Sequence, residues 1–203
     1  AGRDARIIDL DFALLERLKP DVDFVRMENR TLDQLREGII AMGEAVGRED
    51  LSSALLARMD AALDAVAEAV ADRPRRRVLL LQGYRRPSTT GAGWLTDELI
   101  TIAGGANVAA EAGLSSWATI NLETIRALQP EVIICLVGGG EGDRVRARVF
   151  WARRRELRAV RTGRVVITDD QRLTIPGSRV ARTAECLARM IHPEAFEEDP
   201  ADG

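Results

Sequence analysis

Three short runs of almost uninterrupted aliphatic residues punctuate the chain after residue 75: "VLLLQ" at 78–82, "VIICLV" at 132–137 and "VVIT" within 164–168. A strand with no polar side has no face to give to water, so such runs belong in a parallel sheet covered above and below by helices. The stretches between them carry the helical spacing that this arrangement requires. Helices are predicted over about 94–103, 121–128, 143–158 and 178–191, and strands over 78–82, 132–137 and 164–168. The expectation from residue 75 onward is an α/β lobe.

Upstream the pattern changes. Residues 11–18 read as a helix that must end before Pro20, because proline disfavours helical geometry in the residue before it. "VDFVRM" at 22–27 alternates as a strand does. Thr31 and Gln34 have the spacing of a capping box and open a helix through Val46, with Leu32, Leu35, Ile39 and Met42 on one face and Gly47 at its end. Leu51, Leu55, Met59, Leu63, Val66 and Val70 then recur every three or four residues without an internal glycine or proline. The result is one helix over 50–72, about 33 Å long at 1.5 Å per residue.

Charge and length exclude some classes of function. A net charge of −3 argues against a general nucleic-acid binder. No apolar run approaches the roughly 20 residues of a membrane-spanning helix. Lys19 is the only lysine, whereas residues 143–161 alone hold eight arginines. On a helix there, Val145, Val149, Trp151 and Leu157 would face inward and the arginines outward, as a solvated face or as an anion-attracting surface. Cys135 and Cys186 are expected as buried free thiols, since their spacing supports no disulfide pattern.

Catalytic signals are sparse. His192, the only histidine, precedes a proline at a helix end, where packing explains it better than proton transfer. "GGGEGD" at 138–143 resembles a phosphate-cradling loop but lacks the Gly-Lys-Ser/Thr ending. No nucleophile elbow, Cys–His pairing or metal-ligand spacing is present, so no cofactor and no enzymatic activity are expected. The segment at 83–109 is richer. Ligands of open α/β sheets collect beyond the carboxyl ends of strands. Tyr84, Arg85, Arg86, Thr89, Thr90 and Trp94 there offer aromatic faces, cations and hydroxyls for a bulky, polar and anionic ligand, the alternative being a surface loop with incidental aromatics.

One unit is repeated. "LLERLKPDVDF" at 14–24 and "TIRALQPEVIICL" at 124–136 each run from a helix through Leu-x-Pro-acid-Val into an apolar run, with Pro20 and Pro130 as the shared landmark. Together with "RTLDQLREGIIAMGEAVGRE", "GAGWLTDELITIAGGANVA", "RELRAVRTGRVVITD" and "LARMIHPEAF", in this order, the chain resembles the class III periplasmic substrate-binding proteins of ABC importers. These carry ferric siderophores, haem or cobalamin.

The resemblance implies an α/β fold of two Rossmann-like lobes bridged by one long helix, with ligand held between them. Residues 1–48 would be the remainder of an N-terminal lobe, 49–74 the bridge, 75–197 the C-terminal lobe and 198–203 a tail. The first lobe is expected to be incomplete, since the family's runs to more than a hundred residues. By the same resemblance Glu123 would pair with arginines of the membrane permease, whereas Ala13 stands at the matching place in the first lobe. Ligand-lining positions carry over to Tyr84, Arg85, Arg86, Thr90, Trp94, Trp117, Asp170 and Arg172, the last two in the loop at 169–179. Packing beneath the loops is the alternative for Trp94 and Trp117.

The expected function is capture of an iron–siderophore-type chelate, or else corrinoid or haem, by a monomer that hands it to an ABC permease. The expected location is periplasmic or membrane-anchored and extracytoplasmic, with no secretory leader legible at Ala1. A chelatase-like enzyme and a non-transporting relative are the rival readings.

Overall fold

The computed structural model describes residues 28–173 and 177–196. The helix expected at 11–18, the strand at 22–27, and Ala13 and Pro20 lie outside the described residues. The sheet is built on β1 (Arg76–Gln82), which pairs in parallel with β5 (Val132–Leu136), itself parallel to β6 (Val165–Thr168). On its other side β1 pairs in parallel with β3 (Gly105–Asn107) over its first residues. At its last residue it pairs antiparallel with β2 (Ser88–Thr90) through Gln82 and Ser88. Beyond β2 lies β4 (Trp117–Thr119), also antiparallel. The sheet is therefore mixed, which corrects the expectation of a purely parallel one. The segments "STT", "GAN" and "WAT" are too short and too polar to show strand periodicity, and it is backbone pairing that makes them strands.

Alternation along the central strands divides the interior in two. Val78, Leu80, Val132 and Ile134 face one layer, while Leu79, Leu81, Ile133 and Cys135 face the other. The first layer is covered by α1 (Leu32–Ala45), α2 (Glu49–Ala69), α3 (Leu95–Ile102) and α8 (Val180–Ile191). The second is covered by α4 (Val108–Glu111), α5 (Leu122–Leu128), α6 (Gly140–Ala152) and α7 (Arg158–Arg161).

Thr31 Oγ1 accepts from the Gln34 backbone N–H at 3.1 Å and caps α1. The Gln34 side chain reaches back one residue further than a standard capping box, accepting from the Arg30 N–H at 3.0 Å. Gly47, at φ +64°, turns the chain into α2. That helix is continuous for 21 residues, about 32 Å. Its stripe is buried from Met59 through Leu63, Val66 and Val70, but Leu51 is 52% exposed, contrary to its place in the expected stripe. The α1–α2 hairpin packs onto α8 and α3, so these helices share one apolar layer with the sheet.

Two details of the arginine-rich segment are also corrected. The helix starts at Gly140 and stops at Ala152, with α7 as a separate turn rather than a continuation to 158. Trp151 and Leu157 are buried as expected, whereas Val145 and Val149 are each 48% exposed. Ala147 takes the inward position instead: it lies one helical turn before the buried Trp151 and shares its face, whereas Val145 and Val149 are two residues out of step with that face.

Candidate functional site

The carboxyl ends of β1, β5 and β6 and the β2–β4 ribbon form one rim of the sheet. Gly91, where the chain leaves β2, has no alternative at this point: a Cβ there would lie 1.8 Å from the Leu114 carbonyl oxygen. The Ala92 N–H donates to that same oxygen at 2.7 Å, tying the loop before α3 to the strand side of β4. Within the ribbon, Thr89 donates its hydroxyl to the Leu80 carbonyl at 2.7 Å and is buried. The Thr90 carbonyl accepts from Asn107 Nδ2 at 3.0 Å, and Asn107 Oδ1 caps α4 through the Ala109 N–H at 3.1 Å.

A hollow of about 100 Å³ opens at the Thr90–Trp117 end of this ribbon. Its floor is apolar, with Leu80, Leu95, Leu99 and Val180. Thr90, Trp94, Trp117 and Arg172 stand around it. Trp117 is 47% exposed, so its indole presents a face to solvent instead of packing beneath a loop; Trp94 is half-buried. Asn29 and Thr183 also line the hollow, and neither carried a signal in the sequence. Asn29 Oδ1 is buried and has no hydrogen-bond partner among the described residues.

Arg172 is held in place by Asp170, whose Oδ1 accepts from Arg172 Nε at 2.8 Å and from its backbone N–H at 3.0 Å, with Oδ2 to Nη2 at 2.5 Å. The guanidinium in turn lowers the Asp170 carboxyl below its usual range. Thr183 donates to the Arg172 carbonyl at 3.1 Å, fixing the turn Gln171–Leu173 onto α8. Cys186 Sγ lies 3.8 Å from Asp170 Oδ2, and burial and that carboxylate push its thiol up.

The other expected ligand residues sit elsewhere on the rim. Tyr84 is only 8% exposed; its hydroxyl donates to Asp143 Oδ1 at 3.2 Å and its ring meets Phe150 edge-on at 5.3 Å. The exposed ring expected from the sequence is instead a wall of the second core. Arg85 and Arg86 are exposed and have no carboxylate partner among the described residues. These three line a separate hollow of about 310 Å³ at the Pro87–Thr119 end of the ribbon. Beside it begins α5, capped by Asn121 Oδ1 accepting from the Thr124 N–H at 2.8 Å, and Glu123 is exposed in its first turn.

His192 is buried at the C-cap of α8, with Nε2 3.1 Å from the Gly104 carbonyl oxygen, the helix-end packing role read from the sequence. Both cysteines are free; Cys135 is buried, with its thiol pushed up to about 11 chiefly by burial, whereas Cys186 is half-buried rather than buried. Among the described residues no group of three His, Cys, Asp or Glu side chains could hold a metal ion, and no helix is long and apolar enough to cross a membrane.

A family model described as periplasmic binding protein matches residues 4–172. An uncharacterised ABC transporter substrate-binding lipoprotein of Bacillus subtilis, YvrC, is 25% identical over 173 residues, which is 83% of this chain and 53% of that protein. The chain thus spans about half the length of that relative. Among solved structures, the periplasmic vitamin B12 binding protein BtuF of Vibrio cholerae superposes with a TM-score of 0.74 at 18% identity, covering 94% of this chain and 71% of BtuF. An ABC-type Fe3+-hydroxamate transport system structure from Saccharomonospora viridis gives a TM-score of 0.67 at 24% identity, covering 84% of this chain and 58% of that one.

Proposed function

The chain belongs to the periplasmic binding protein family, and from that premise we propose that it is the substrate-binding component of a bacterial ABC importer acting outside the cytoplasm. Its ligand would be a conjugated, anionic metal chelate of the iron–siderophore type. The observation that carries this reading is the solvent-facing indole of Trp117, standing with Trp94 and Arg172 over an apolar floor. Flat indole faces suit delocalised ligands, and a guanidinium held rigid by a carboxylate meets oxygen-rich rims with little loss of side-chain entropy. At about 100 Å³ the hollow is too small to enclose a whole chelate, which suits contact with one face of it.

The same features would accept a corrinoid or haem, and the names of relatives speak for both iron-hydroxamate and vitamin B12. Glu123, exposed at a helix start, is the residue proposed to meet a permease arginine. No chemistry is asked of the protein, only capture and handover. Titration of the intact protein with a ferric hydroxamate, haemin and cyanocobalamin, followed by tryptophan fluorescence, tests the reading. Saturable quenching by one of them is expected; a folded protein quenched by none of the three overturns it.

A further inference from the structure

We propose that a hollow at the foot of the sheet, at the amino ends of β1, β5 and β6 and opposite the ligand rim, is a second binding site, one for a small, multiply charged oxyanion of phosphate size. It does not depend on the importer reading.

Three strand starts meet there. Arg76 opens β1, Glu131 immediately precedes β5 and Arg164 immediately precedes β6. The parallel pairings Val78 with Val132 and Ile133 with Val165 set these ends side by side. Arg158 opens α7, and its guanidinium turns back to Glu131, with Nη2 2.8 Å from Oε1. The space enclosed is about 290 Å³, and four of the seven residues lining it are arginines: Arg75, Arg76, Arg158 and Arg164. The hollow beside Trp117 has Arg172 alone. Single exposed arginines are common in this chain and mark nothing by themselves. Four converging on one concave surface concentrate positive charge where the guanidiniums repel one another.

The carboxylates within reach are already committed. Glu131 Oε2 accepts from the Arg77 backbone N–H at 2.9 Å, while its Oε1 holds Arg158. Glu194 Oε1 accepts from Arg76 Nη2 at 2.5 Å, yet Arg76 Nη1 is buried and has no acceptor among the described residues. Arg75 and Arg164 reach main-chain carbonyls, of Thr101 at 3.4 Å and Ile191 at 3.5 Å, both long for a hydrogen bond. Four guanidiniums against two carboxylates leave two positive charges in excess, in a chain whose net charge is −3. A dianion would balance that excess. Guanidinium forks match the spacing of oxyanion oxygens, and Arg158 is already oriented by Glu131, so phosphate-like groups are the chemistry this hollow selects. The competing oxyanions are the chain's own: Glu197, Glu198 and Asp199 follow Phe196 in the sequence.

The test is calorimetric titration of the full chain in Tris-chloride with inorganic phosphate and with pyrophosphate. One saturable site is expected. R158Q/R164Q should weaken it at least tenfold, with quenching by the chelate that quenches wild type unchanged. R126Q/R148Q, which removes two exposed guanidiniums elsewhere, should weaken it less than threefold. If R158Q/R164Q does not fold, Arg164→Gln is read in its place, since Arg164 has no ion pair among the described residues. Equal losses in the two double variants would reduce the effect to general charge attraction and overturn the site. Failure of both anions to bind wild type at millimolar concentration would also overturn it. So would phosphate binding that appears only in E197Q/E198Q/D199N, because the chain's own acids would then be the occupant.

Discussion

Gly43 of α1 sits so close to Ser52 of α2 that a Cβ on the glycine would lie 2.3 Å from the serine hydroxyl and 2.7 Å from its Cβ. The α1–α2 hairpin closes only because one partner has no side chain. Gly43→Ala would raise intrinsic helix propensity by roughly 1 kcal/mol but drive the helices apart, and overpacking of this kind costs about 1–3 kcal/mol. Net destabilisation is expected in urea unfolding. An unchanged or raised midpoint would mean that the hairpin yields freely.

Replacing Trp117 by alanine removes the exposed indole that the proposed ligand would stack on. Loss of about 1–3 kcal/mol of binding, or roughly 5- to 150-fold in Kd, is expected with little change in thermal stability, since almost half of the residue is in water. The reverse result, lost stability with affinity kept, would make Trp117 a packing residue.

Glu123 lies in the first turn of α5, where a carboxylate already interacts favourably with the helix dipole, worth about 0.3–1 kcal/mol at an exposed site. Glu123→Gln is therefore expected to cost little stability and no ligand affinity. Transport by a reconstituted importer should fall, most visibly at low salt. Transport equal to wild type would reduce Glu123 to a helix-start residue.

Asp170 links the site to pH. Its carboxyl is held below its usual range first by the side-chain hydrogen bond from Arg172, so its folded pKa lies below the unfolded value of about 3.9. A depressed acid contributes stability that is present above the unfolded pKa and lost as pH falls through the folded one. Unfolding midpoints of wild type and Asp170→Asn should differ at pH 6 and converge below about pH 4. A gap that persists into strong acid would mean that the carboxylate–guanidinium pair is not its source.

Cys135 is buried, with its thiol pushed up to about 11 and 3.4 Å from the Gly83 carbonyl. The thiolate is the reactive form, so iodoacetamide at pH 8 should label the half-buried Cys186 first and reach Cys135 only on unfolding. Equal labelling of both in the native protein would contradict the packing of the second core.

Long, strongly patterned elements could be read directly. The aliphatic runs that became β1, β5 and β6 announce themselves by having no polar side, the capped helix from Leu32 and the continuous helix ending at Ala69 by their periodicity, and the chain's family membership followed from motifs spread along it. What local pattern could not supply was the company each residue keeps. Ser88, Thr89 and Thr90 form a strand only because β4 pairs with them, and that ribbon is what parts Thr90, Trp94 and Trp117 from Tyr84, Arg85 and Arg86, residues that the sequence groups in one loop region. Likewise Val145 and Val149 look like core by their spacing to each other, yet α6 turns the face that holds Ala147 and Trp151 inward, and the two valines, two residues out of step with it, are half exposed. Hydrophobic period chooses the element, because it is a property of neighbours in the chain. Which side chains line a hollow is chosen by contacts between residues far apart in sequence, as when Asn107 holds Thr90 and Thr183 holds Arg172.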